Sequence, residues 1–460
     1  MSRQAIPVTW LLAALAMTAG CSHSAIAPET ADPALPSAWA RGGDVGAPVE
    51  NWLKDFGNPQ LERLVSEALA ENYALRQERA RLAQAEQAVT IARADRFPTA
   101  DVSLDASRRG SDDGLGTSVT SESFDLSAGA RWDANLWGRL SDTQRAAQLS
   151  LAAQRARLMT VERDLAAVIA GSVFDVMEAQ QLLAVARRRL DIAIESADIV
   201  ASGYRQGLND ALDLYLARNQ VEQQQASVAQ QEQAYLEAVA DLQLSLARYP
   251  DGALEIIGEL PVLTQPIPAG LPSDLLTRRT DLQEAWLGLL AADAELAVAH
   301  KARFPSLTLV GSGGITSLAL SDLLDSDASG WSVSSSLVQP LFNAGRLRAL
   351  EAQALARLEL AEQQYLDLLN RAFAEVENAI SRSQSLEVRY RSFLDAERNA
   401  RAALELALEQ YQRGLVTYTT VLESQRQAFD AEATVVQLTN QLLQNRIGLY
   451  LALGGSFEQE

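Results

Sequence analysis

Few side chains in this sequence suit covalent chemistry or metal binding: its 460 residues include one cysteine, Cys21, and two histidines, His23 and His300. A metal site usually combines several such ligands, and a nucleophilic residue needs a base beside it. His300 has no cysteine near it in sequence, and His23 lies two residues after Cys21. The sequence therefore predicts no catalytic group, no metal site and no cofactor, and we interpret His300 as a solvated or packed side chain.

Cys21 nonetheless has a chemistry of its own, because it follows a targeting segment. A positive start, an apolar run over residues 10–17 and small residues at 19–20 form an export signal with a cleavage site. The stretch MTAGC that ends at Cys21 resembles a bacterial lipobox, in which the cysteine becomes the first residue and is acylated. We therefore expect a lipid anchor at Cys21, and Ser22 fits sorting to an outer membrane, as in other bacterial lipoproteins. The alternative is an ordinary signal peptide with an incidental cysteine.

The composition limits what the chain can bind and how it folds. Its formal charge is −20, whereas nucleic acid selects basic surfaces, so we expect no nucleic-acid partner. The acidic surplus fits either a solvated surface or a conduit that favours cations. Abundant Leu, Ala, Glu, Arg and Gln indicate long helices. Beyond the leader no stretch has 18 consecutive apolar residues, so no transmembrane helix is predicted, although a β-barrel also satisfies every backbone group in lipid.

The elements that must position any functional residue occur twice. Three motifs return after the same interval of 207 residues: Arg96-Phe97-Pro98 as Arg303-Phe304-Pro305, Gly138-Arg139-Leu140 as Gly345-Arg346-Leu347, and Tyr204-x-x-Gly207-Leu208 as Tyr411-x-x-Gly414-Leu415. A constant interval over so long a stretch indicates two copies of one structural unit. We accordingly predict these segments: a signal peptide (1–20), a lipidated tether (21–49), a first repeat half (50–249), a proline-rich junction (250–272), a second repeat half (273–455) and a C-terminal tail (456–460).

Each half contains one region in which apolar and polar residues alternate, at about 99–132 and about 306–338. Alternation with a period of two predicts pairs of strands, each about ten residues long, which is enough for a tilted strand to cross a bilayer. Full charges on the polar face indicate water on that side rather than a packed core. Small residues, Gly311, Gly313 and Gly314, make the second pair the weaker prediction. Aromatic residues flank the strands, and we expect them to form a belt at a membrane interface. For Phe97 and Phe304, which precede the strands, core packing beneath the strands is the alternative. The full set is Phe97, Trp132, Trp137, Phe304, Trp331 and Phe342.

Two very long helices are predicted after the strands. Residues 139–202 contain no proline and one glycine, and residues 346–413 contain neither. At 1.5 Å per residue such helices are about 100 Å long, far beyond the usual helix of a globular domain. Gly207 and Gly414 suit the left-handed turn that ends a helix, and a shorter helix returns after each.

The number of strands predicts an oligomer. One chain supplies four strands, which cannot close a barrel, and an open sheet edge is not tolerated in lipid. Two copies would give eight strands and an interior filled by side chains, whereas three copies would give twelve strands and a lumen. The polar strand faces favour the lumen, and the long helices should continue it as a helical tube.

Several short stretches together resemble one known family. They are Trp52-x-x-x-Phe56, Gly270-Leu271-Pro272-Ser273-Asp274-Leu275-Leu276 with Arg278-Arg279, Arg303-Phe304-Pro305, Gln339-Pro340-Leu341-Phe342 with Gly345-Arg346-Leu347, and Leu449-Tyr450-Leu451-Ala452-Leu453-Gly454-Gly455. The chain resembles the outer-membrane efflux proteins, the TolC-like exit ducts of tripartite export systems, and is most similar to the lipoprotein branch that works with RND-type pumps. Thr280 stands where the family usually has proline.

The resemblance implies a fold that is mainly α with a small membrane β-barrel. It implies a homotrimer in which a twelve-strand β-barrel continues as a twelve-helix α-barrel, each chain being an internal duplication of two β-hairpins and two long helical hairpins. Such a protein is not an enzyme but an outer-membrane duct of a Gram-negative bacterium, which extends into the periplasm and passively conducts drugs and other toxic small molecules. Its expected partners are two further copies, a periplasmic adaptor, an inner-membrane RND-type pump and outer-membrane lipid.

The resemblance also places function at the helical tips, where the tunnel is closed at rest. In related channels an acidic residue twelve positions after the tip tyrosine, and an arginine three positions later, help to hold the aperture shut. The corresponding aperture residues and tip turns, the latter expected to contact the adaptor, are Tyr204, Asp213, Tyr411, Glu423 and Arg426, and Gly207, Leu208, Gly414 and Leu415. A ring of three carboxylates could select cations; the alternative is ordinary solvated helix charge.

Other functions compete with the efflux duct. A channel for type I protein secretion would use the same elements. A periplasmic coiled-coil adaptor lipoprotein would have one helical hairpin set between β-rich domains, whereas this sequence has two hairpins, each preceded by a pair of bilayer-length strands. An enzyme is the least supported interpretation.

Overall fold

The structure is a computed structural model, and it describes residues 36–42, 51–112, 118–208, 210–263, 267–325 and 328–456. The predicted signal peptide, Cys21 with its expected acylation, and most of the predicted tether lie outside the described residues.

Three helices of the first half return in the second half with the same lengths and at the same interval. The first half has α1 (Pro59–Glu71), α2 (Tyr73–Ala94), α3 (Arg139–Arg205) and α4 (Ala211–Ser245), and the second has α5 (Thr280–Lys301), α6 (Arg346–Gln412) and α7 (Tyr418–Ala452). Helices α2 and α5 have 22 residues, α3 and α6 have 67, and α4 and α7 have 35. The members of each pair start 207 residues apart, which is the interval between the sequence motifs.

The strands form one antiparallel sheet in the order β1-β2-β3-β4. They are β1 (Thr99–Asp112), β2 (Ser118–Ala134), β3 (Ser306–Ser317) and β4 (Ser329–Val338). The central pairing joins the two halves, because Phe124 of β2 lies opposite Ser317 of β3 and Ala134 lies opposite Leu307. Strands β1 and β4 are the edges of the sheet, and within the described residues each pairs on one side only.

The two faces of the sheet differ as the alternation predicts. On the polar face, the hydroxyls of Ser103 and Ser127 hydrogen-bond across β1 and β2 (2.9 Å), and the Thr308 hydroxyl donates to Asp133 across β2 and β3 (2.6 Å). The opposite face carries apolar side chains that are more than half exposed: Val102, Leu104, Trp331, Val333 and Leu337. A continuous apolar face of this kind needs lipid or another protein to cover it.

The strands of the first half are longer than the ten residues expected, since β1 has 14 residues and β2 has 17. Strand β2 continues two residues past the expected end because those residues still pair with β3. The glycines of β3, which made this strand the weaker prediction, have a packing reason at one position. A Cβ on Gly314 would lie 2.6 Å from the backbone oxygen of Leu126, so only glycine lets β2 and β3 approach this closely.

The described residues form two compact units. The sheet unit lies within Ala83–Gln154 and Ala285–Leu366, and the tip unit lies within Ala34–Leu82, Arg155–Glu284 and Asp367–Glu460. The core of the tip unit stacks Trp52 on Tyr450, with ring centroids 5.7 Å apart, and packs Phe56 against Phe174 at 5.0 Å. These contacts give the Trp52-x-x-x-Phe56 motif a structural role in the core.

The described part of the tether is docked on the tip unit. Trp39 is buried, and its indole nitrogen donates to the carbonyl oxygens of Ala269 (3.2 Å) and Gly270 (3.1 Å). Its ring packs edge-on against Phe373. The next two backbone amides donate to the Glu377 carboxylate at 2.6 and 3.1 Å. Residues 39–41 of the tether are therefore bound to the rest of the tip unit.

The aromatic residues around the strands divide into packed and exposed groups. Trp137 packs against Phe304, with ring centroids 5.5 Å apart, and donates from its indole nitrogen to the carbonyl oxygen of Pro305 (2.8 Å). Phe97, Trp331 and Phe342 are mostly exposed. Phe304 thus packs beneath the strands, whereas Phe97 does not, although the two occupy equivalent positions in the repeat.

Helix α3 contains an 18-residue segment that is long and apolar enough to cross a membrane, although its apolar residues are not consecutive. Half of that segment is buried inside the chain. A packed helix of a folded protein satisfies the same criteria, so a single helix of this kind is weak evidence for a membrane span.

Candidate functional site

Both tip turns have the same backbone structure, the Schellman motif that ends a helix on a glycine. In the first turn the Leu208 amide donates to the Gly203 carbonyl (2.9 Å) and the Gly207 amide donates to the Tyr204 carbonyl (3.0 Å). Gly207 has φ +74°, and the second turn repeats both hydrogen bonds around Gly414 at φ +72°. Because side chains disfavour this left-handed conformation, the two glycines are required where the motif places them.

The apolar side chains of the tips point away from the core. Leu208 is 76% exposed and Leu415 is 68% exposed. Leu212 and Tyr215, in the first turns of α4, are also mostly exposed. Neighbouring exposed apolar groups suit contact with another protein, and they occur at the turns predicted to meet an adaptor.

Beneath the turns, the two helical hairpins share one apolar core. Its buried members come from α3, α4, α6 and α7: Val200, Leu214, Ala217, Ala407, Tyr418 and Val421. One polar contact lies within the packed surfaces, where the Gln425 side chain donates to the Ser196 hydroxyl (3.3 Å). Packing therefore joins the two tips of one chain, and ion pairs between α3 and α7, Arg188 with Glu432 and Arg189 with Asp430, add to it.

Tyr418 is a buried titratable group at the centre of this core. Its ring centroid lies 5.7 Å from that of Tyr411, and its hydroxyl has no hydrogen-bond partner among the described residues. Burial, followed by the nearby Tyr411 and Asp213, raises the pKa of Tyr418 to about 12. Burial and the neighbouring Asp210 also raise the pKa of Asp213. Two predicted aperture residues, Tyr411 and Asp213, therefore lie near Tyr418.

The predicted pair Glu423 and Arg426 forms a two-bond ion pair on α7. Arg426 Nε lies 3.0 Å from Glu423 Oε2, and Nη2 lies 2.5 Å from Oε1. These hydrogen bonds hold the pKa of Glu423 below its usual value. Arg426 also reaches Asp430 (3.4 Å), which accepts from Arg189 of α3 (2.7 Å). Within one chain the pair therefore lies along a single helix and connects to α3 through Asp430.

Tyr204 stands apart from these groups, because it is half-exposed and its carbonyl closes the first turn. Sequence reasoning missed Tyr418 and Asp430. Their counterparts 207 residues earlier are Ala211 and Gln223, so the repeat that drew attention to the tips gave no signal for either. Asp430 lies four residues after the predicted arginine, and that helical spacing was the available indication of an ion pair.

Metal binding has no evident site in the part of the chain that the structure describes, where no group of three or more His, Cys, Asp or Glu side chains could hold an ion. His300 Nδ1 instead bonds one oxygen of Glu351 (2.7 Å), and Arg303 bonds the other oxygen (2.5 Å). The His300 ring packs edge-on against Phe304. This histidine is therefore a packed, hydrogen-bonded side chain in the sheet unit.

A small sheet with one polar and one apolar face, combined with two hairpins built on 67-residue helices, defines a class of membrane ducts with helical extensions. The chain belongs to the outer membrane efflux protein family. The model of that family matches twice, over residues 64–248 and 271–455. These two matches start 207 residues apart, so they reproduce the internal duplication. The predicted family is confirmed, and so is the predicted mainly α fold with a small antiparallel sheet.

Relatives with known names cover nearly the whole chain. The pyoverdine export outer membrane protein OpmQ of Pseudomonas aeruginosa is 32% identical over 455 residues, which is 96% of this chain and 95% of the relative. The cation efflux system protein CusC of Escherichia coli is 30% identical over 456 residues, or 96% and 97%. Among solved structures, the outer-membrane channel OprN gives a TM-score of 0.86 at 26% identity, and CusC gives 0.83 at 28%; each comparison covers 94% of this chain and 100% of the other.

Family membership settles the cellular setting. The protein is an outer-membrane component of an efflux system in a Gram-negative bacterium. Members of this family are transport ducts, and such components work together with an adaptor and an inner-membrane pump.

Proposed function

We propose that three copies of this chain assemble into one duct through the edges of their sheets. The supporting observation is a four-stranded sheet whose edge strands, β1 and β4, each pair on one side only among the described residues. Closure removes both edges, which lipid does not tolerate. Three copies give twelve strands and leave a lumen, which suits a face lined by hydroxyl and carboxyl groups, whereas eight strands would be filled by side chains.

The helices extend this duct below the membrane. Each copy supplies four helical columns. Two of them are α3 and α6, and each of the other two consists of two shorter helices whose combined length approaches that of α3 or α6. Three copies therefore supply twelve columns. A helix of 67 residues is about 100 Å long. The repeat halves 50–249 and 273–455, joined by residues 250–272, each provide two columns. Acyl chains on Cys21, worth about 0.8 kcal/mol per buried CH₂, hold the tether to the outer membrane.

The tips close the duct at rest and receive the partner. The pair Glu423 and Arg426, together with Tyr204, Tyr411 and Asp213, restrains the aperture. The exposed tip turns, Gly207-Leu208 and Gly414-Leu415, contact a periplasmic adaptor, which connects the duct to an inner-membrane pump of the RND type. Exposure of both leucines supports this contact.

The cargo is a small toxic molecule, and the duct conducts it passively without covalent chemistry. Relatives of this chain are named for the export of pyoverdine, cations and toluene. These cargoes differ in charge and polarity, yet their ducts share one fold. Selection among cargoes therefore belongs to the pump, while the duct provides the exit.

Reconstitution into planar lipid bilayers, combined with chemical crosslinking to count subunits, tests this proposal. We expect discrete ion currents from a preparation that crosslinks to three chains. A double variant, Trp331→Asp with Val333→Asp, is the matched negative control because it places charge on the apolar strand face. A monomer that stays in water once its acyl groups are removed, and that passes no ions through lipid, would contradict the proposal.

A further inference from the structure

A cavity of about 570 Å³ in the tip unit has no role in the proposed duct. It lies between α3, α6 and the C-terminal part of α7, beside the start of α5, and three arginines line it: Arg163, Arg279 and Arg382. Three carboxylates also line it: Asp164, Asp281 and Glu375. We call it the arginine cavity, and each of its arginines has a different environment.

Arg279 is fully engaged by the protein. Its Nε and Nη2 donate to the two oxygens of Asp281 (3.1 and 2.6 Å), and its Nη1 donates to Glu375 (2.7 Å) and to the carbonyl of Ala452 (3.2 Å). Although burial raises the pKa of Asp281, hydrogen bonds from Arg279 hold it below its usual value overall. Two of the carboxylates that line the cavity, Asp281 and Glu375, therefore already accept hydrogen bonds from Arg279.

Arg163 is not satisfied in this way. The residue is only 7% exposed, and its Nε and Nη1 are buried without a hydrogen-bond acceptor among the described residues. Its Nη2 forms an ion pair with Asp164 Oδ1 at 3.6 Å, which is too long for a hydrogen bond. Burial also raises the pKa of Asp164, which disfavours its charged form. A buried guanidinium with unmet donors is costly, so this side chain requires an acceptor from elsewhere.

Arg382 is the third arginine that lines the cavity. It is an exposed residue of α6 that lines the same cavity, and no ion pair engages it within the described ranges. One arginine of the cavity is thus buried and a second is exposed to solvent. The two neighbouring N–H groups of a guanidinium match the oxygens of a phosphate or carboxylate group, which a water molecule matches less well.

We propose that the arginine cavity binds a small oxoanion, whose oxygens accept from the guanidinium groups of Arg163 and Arg382. The ligand is a phosphate or carboxylate group small enough for the cavity. The site belongs to a single chain, so it does not depend on the proposed trimer, and a duct carries one copy per subunit. Nothing in passive conduction requires this site, and it gives the protein a means of responding to anions.

Calorimetric titration of the detergent-solubilised, full-length protein tests this proposal, with sodium phosphate in one arm and sodium acetate in another, at constant ionic strength. We expect saturable binding of one anion per chain, and the tighter arm identifies the oxoanion. Arg163→Gln should weaken binding at least about tenfold, since it removes a buried charged donor. Arg163→Lys should bind the anion more weakly than the wild type, because lysine keeps the positive charge but lacks the paired N–H donors of the guanidinium.

Two further variants make the test independent of any folding defect at Arg163. Arg382→Glu changes an exposed residue and should also weaken binding at least about tenfold, because it reverses a charge in the lining of the cavity. Arg398→Gln removes an exposed arginine that pairs with Asp395 on the same helix, and should leave the affinity unchanged. Binding that is absent in the wild type, or equal in the wild type and Arg382→Glu, would overturn the proposal. A normal channel current alongside either result would leave the proposed duct intact.

Discussion

Replacing Tyr418 by phenylalanine tests whether the tip closes around a buried, unionised phenol. The hydroxyl has no hydrogen-bond partner in the described part of the chain, so the replacement removes an unsatisfied polar group and keeps the ring against Tyr411. Since burying such a group costs about 1–3 kcal/mol, we expect Tyr418→Phe to be as stable as the wild type at pH 7 or up to about 1 kcal/mol more stable. Tyr418→Ala should instead cost about 3–5 kcal/mol, because it empties a core position.

The stability of the tip should also depend on pH, and this effect is larger than the stability change expected for Tyr418→Phe at pH 7. The pKa of Tyr418 in the folded protein is about 12, against 10.0 for an ordinary tyrosine, and a difference of about two units corresponds to about 2.7 kcal/mol. Because the folded-state pKa is raised, this stabilisation is complete below about pH 10 and is lost as the pH rises through about 12. The wild-type tip should loosen over that range, whereas the Tyr418→Phe tip should lack this source of alkaline sensitivity.

Two measurements follow this transition: the ultraviolet absorbance of tyrosinate, and the current through single channels in planar bilayers as the pH is raised. The wild type should show one more phenol of raised pKa per chain than Tyr418→Phe, and its current should rise as that phenol ionises. Tyr249→Phe is the matched control, because Tyr249 is 83% exposed. Identical titrations of the wild type and Tyr418→Phe would refute the reasoning.

The remaining predictions concern the ion pair, a tip turn and the sheet. Glu423→Ala or Arg426→Ala should raise single-channel conductance if the pair restrains the aperture; unchanged conductance would remove both from the gate. Gly414→Ala places a Cβ at φ +72° and should destabilise its turn by about 1–2 kcal/mol. Amide exchange at the tip should therefore quicken, but not in Gly288→Ala, which has open space in mid-helix; equal exchange would contradict this. Gly314→Ala forces β2 and β3 apart and should reduce the yield of trimers on denaturing gels, and an unchanged yield would show that the close approach is not needed.

The sequence predicted the elements well because their signals are local. A left-handed turn demands glycine at Gly207 and Gly414, and both long helices end within two residues before those positions. Alternation of apolar and polar residues located all the described strands, and the 207-residue interval predicted equal helices in the two halves. Strand ends were less accurate, because pairing with a neighbouring strand, rather than local alternation, determines where β2 stops.

The sequence could not predict groups that packing brings together across the chain. Arg163 and Arg382 are more than two hundred residues apart and line one cavity only because α3 and α6 pack in the same unit. Tyr418 is buried by residues of other helices, so its own sequence neighbourhood does not reveal its raised pKa. Glu423 and Arg426 were found through family resemblance, but their connection to α3 through Asp430 required the structure.

Disulfide trapping of the sheet edges tests the central claim, that three chains join β1 of one copy to β4 of the next. The one native cysteine, Cys21, lies at the start of the predicted tether and is expected to be acylated, so pairs of cysteines can be introduced, one in Thr99–Asp112 and one in Ser329–Val338. Pairs on the same face should yield closed, covalent trimers upon mild oxidation in the outer membrane, and pairs on opposite faces should not. Chains that remain monomeric with every pair would contradict the account.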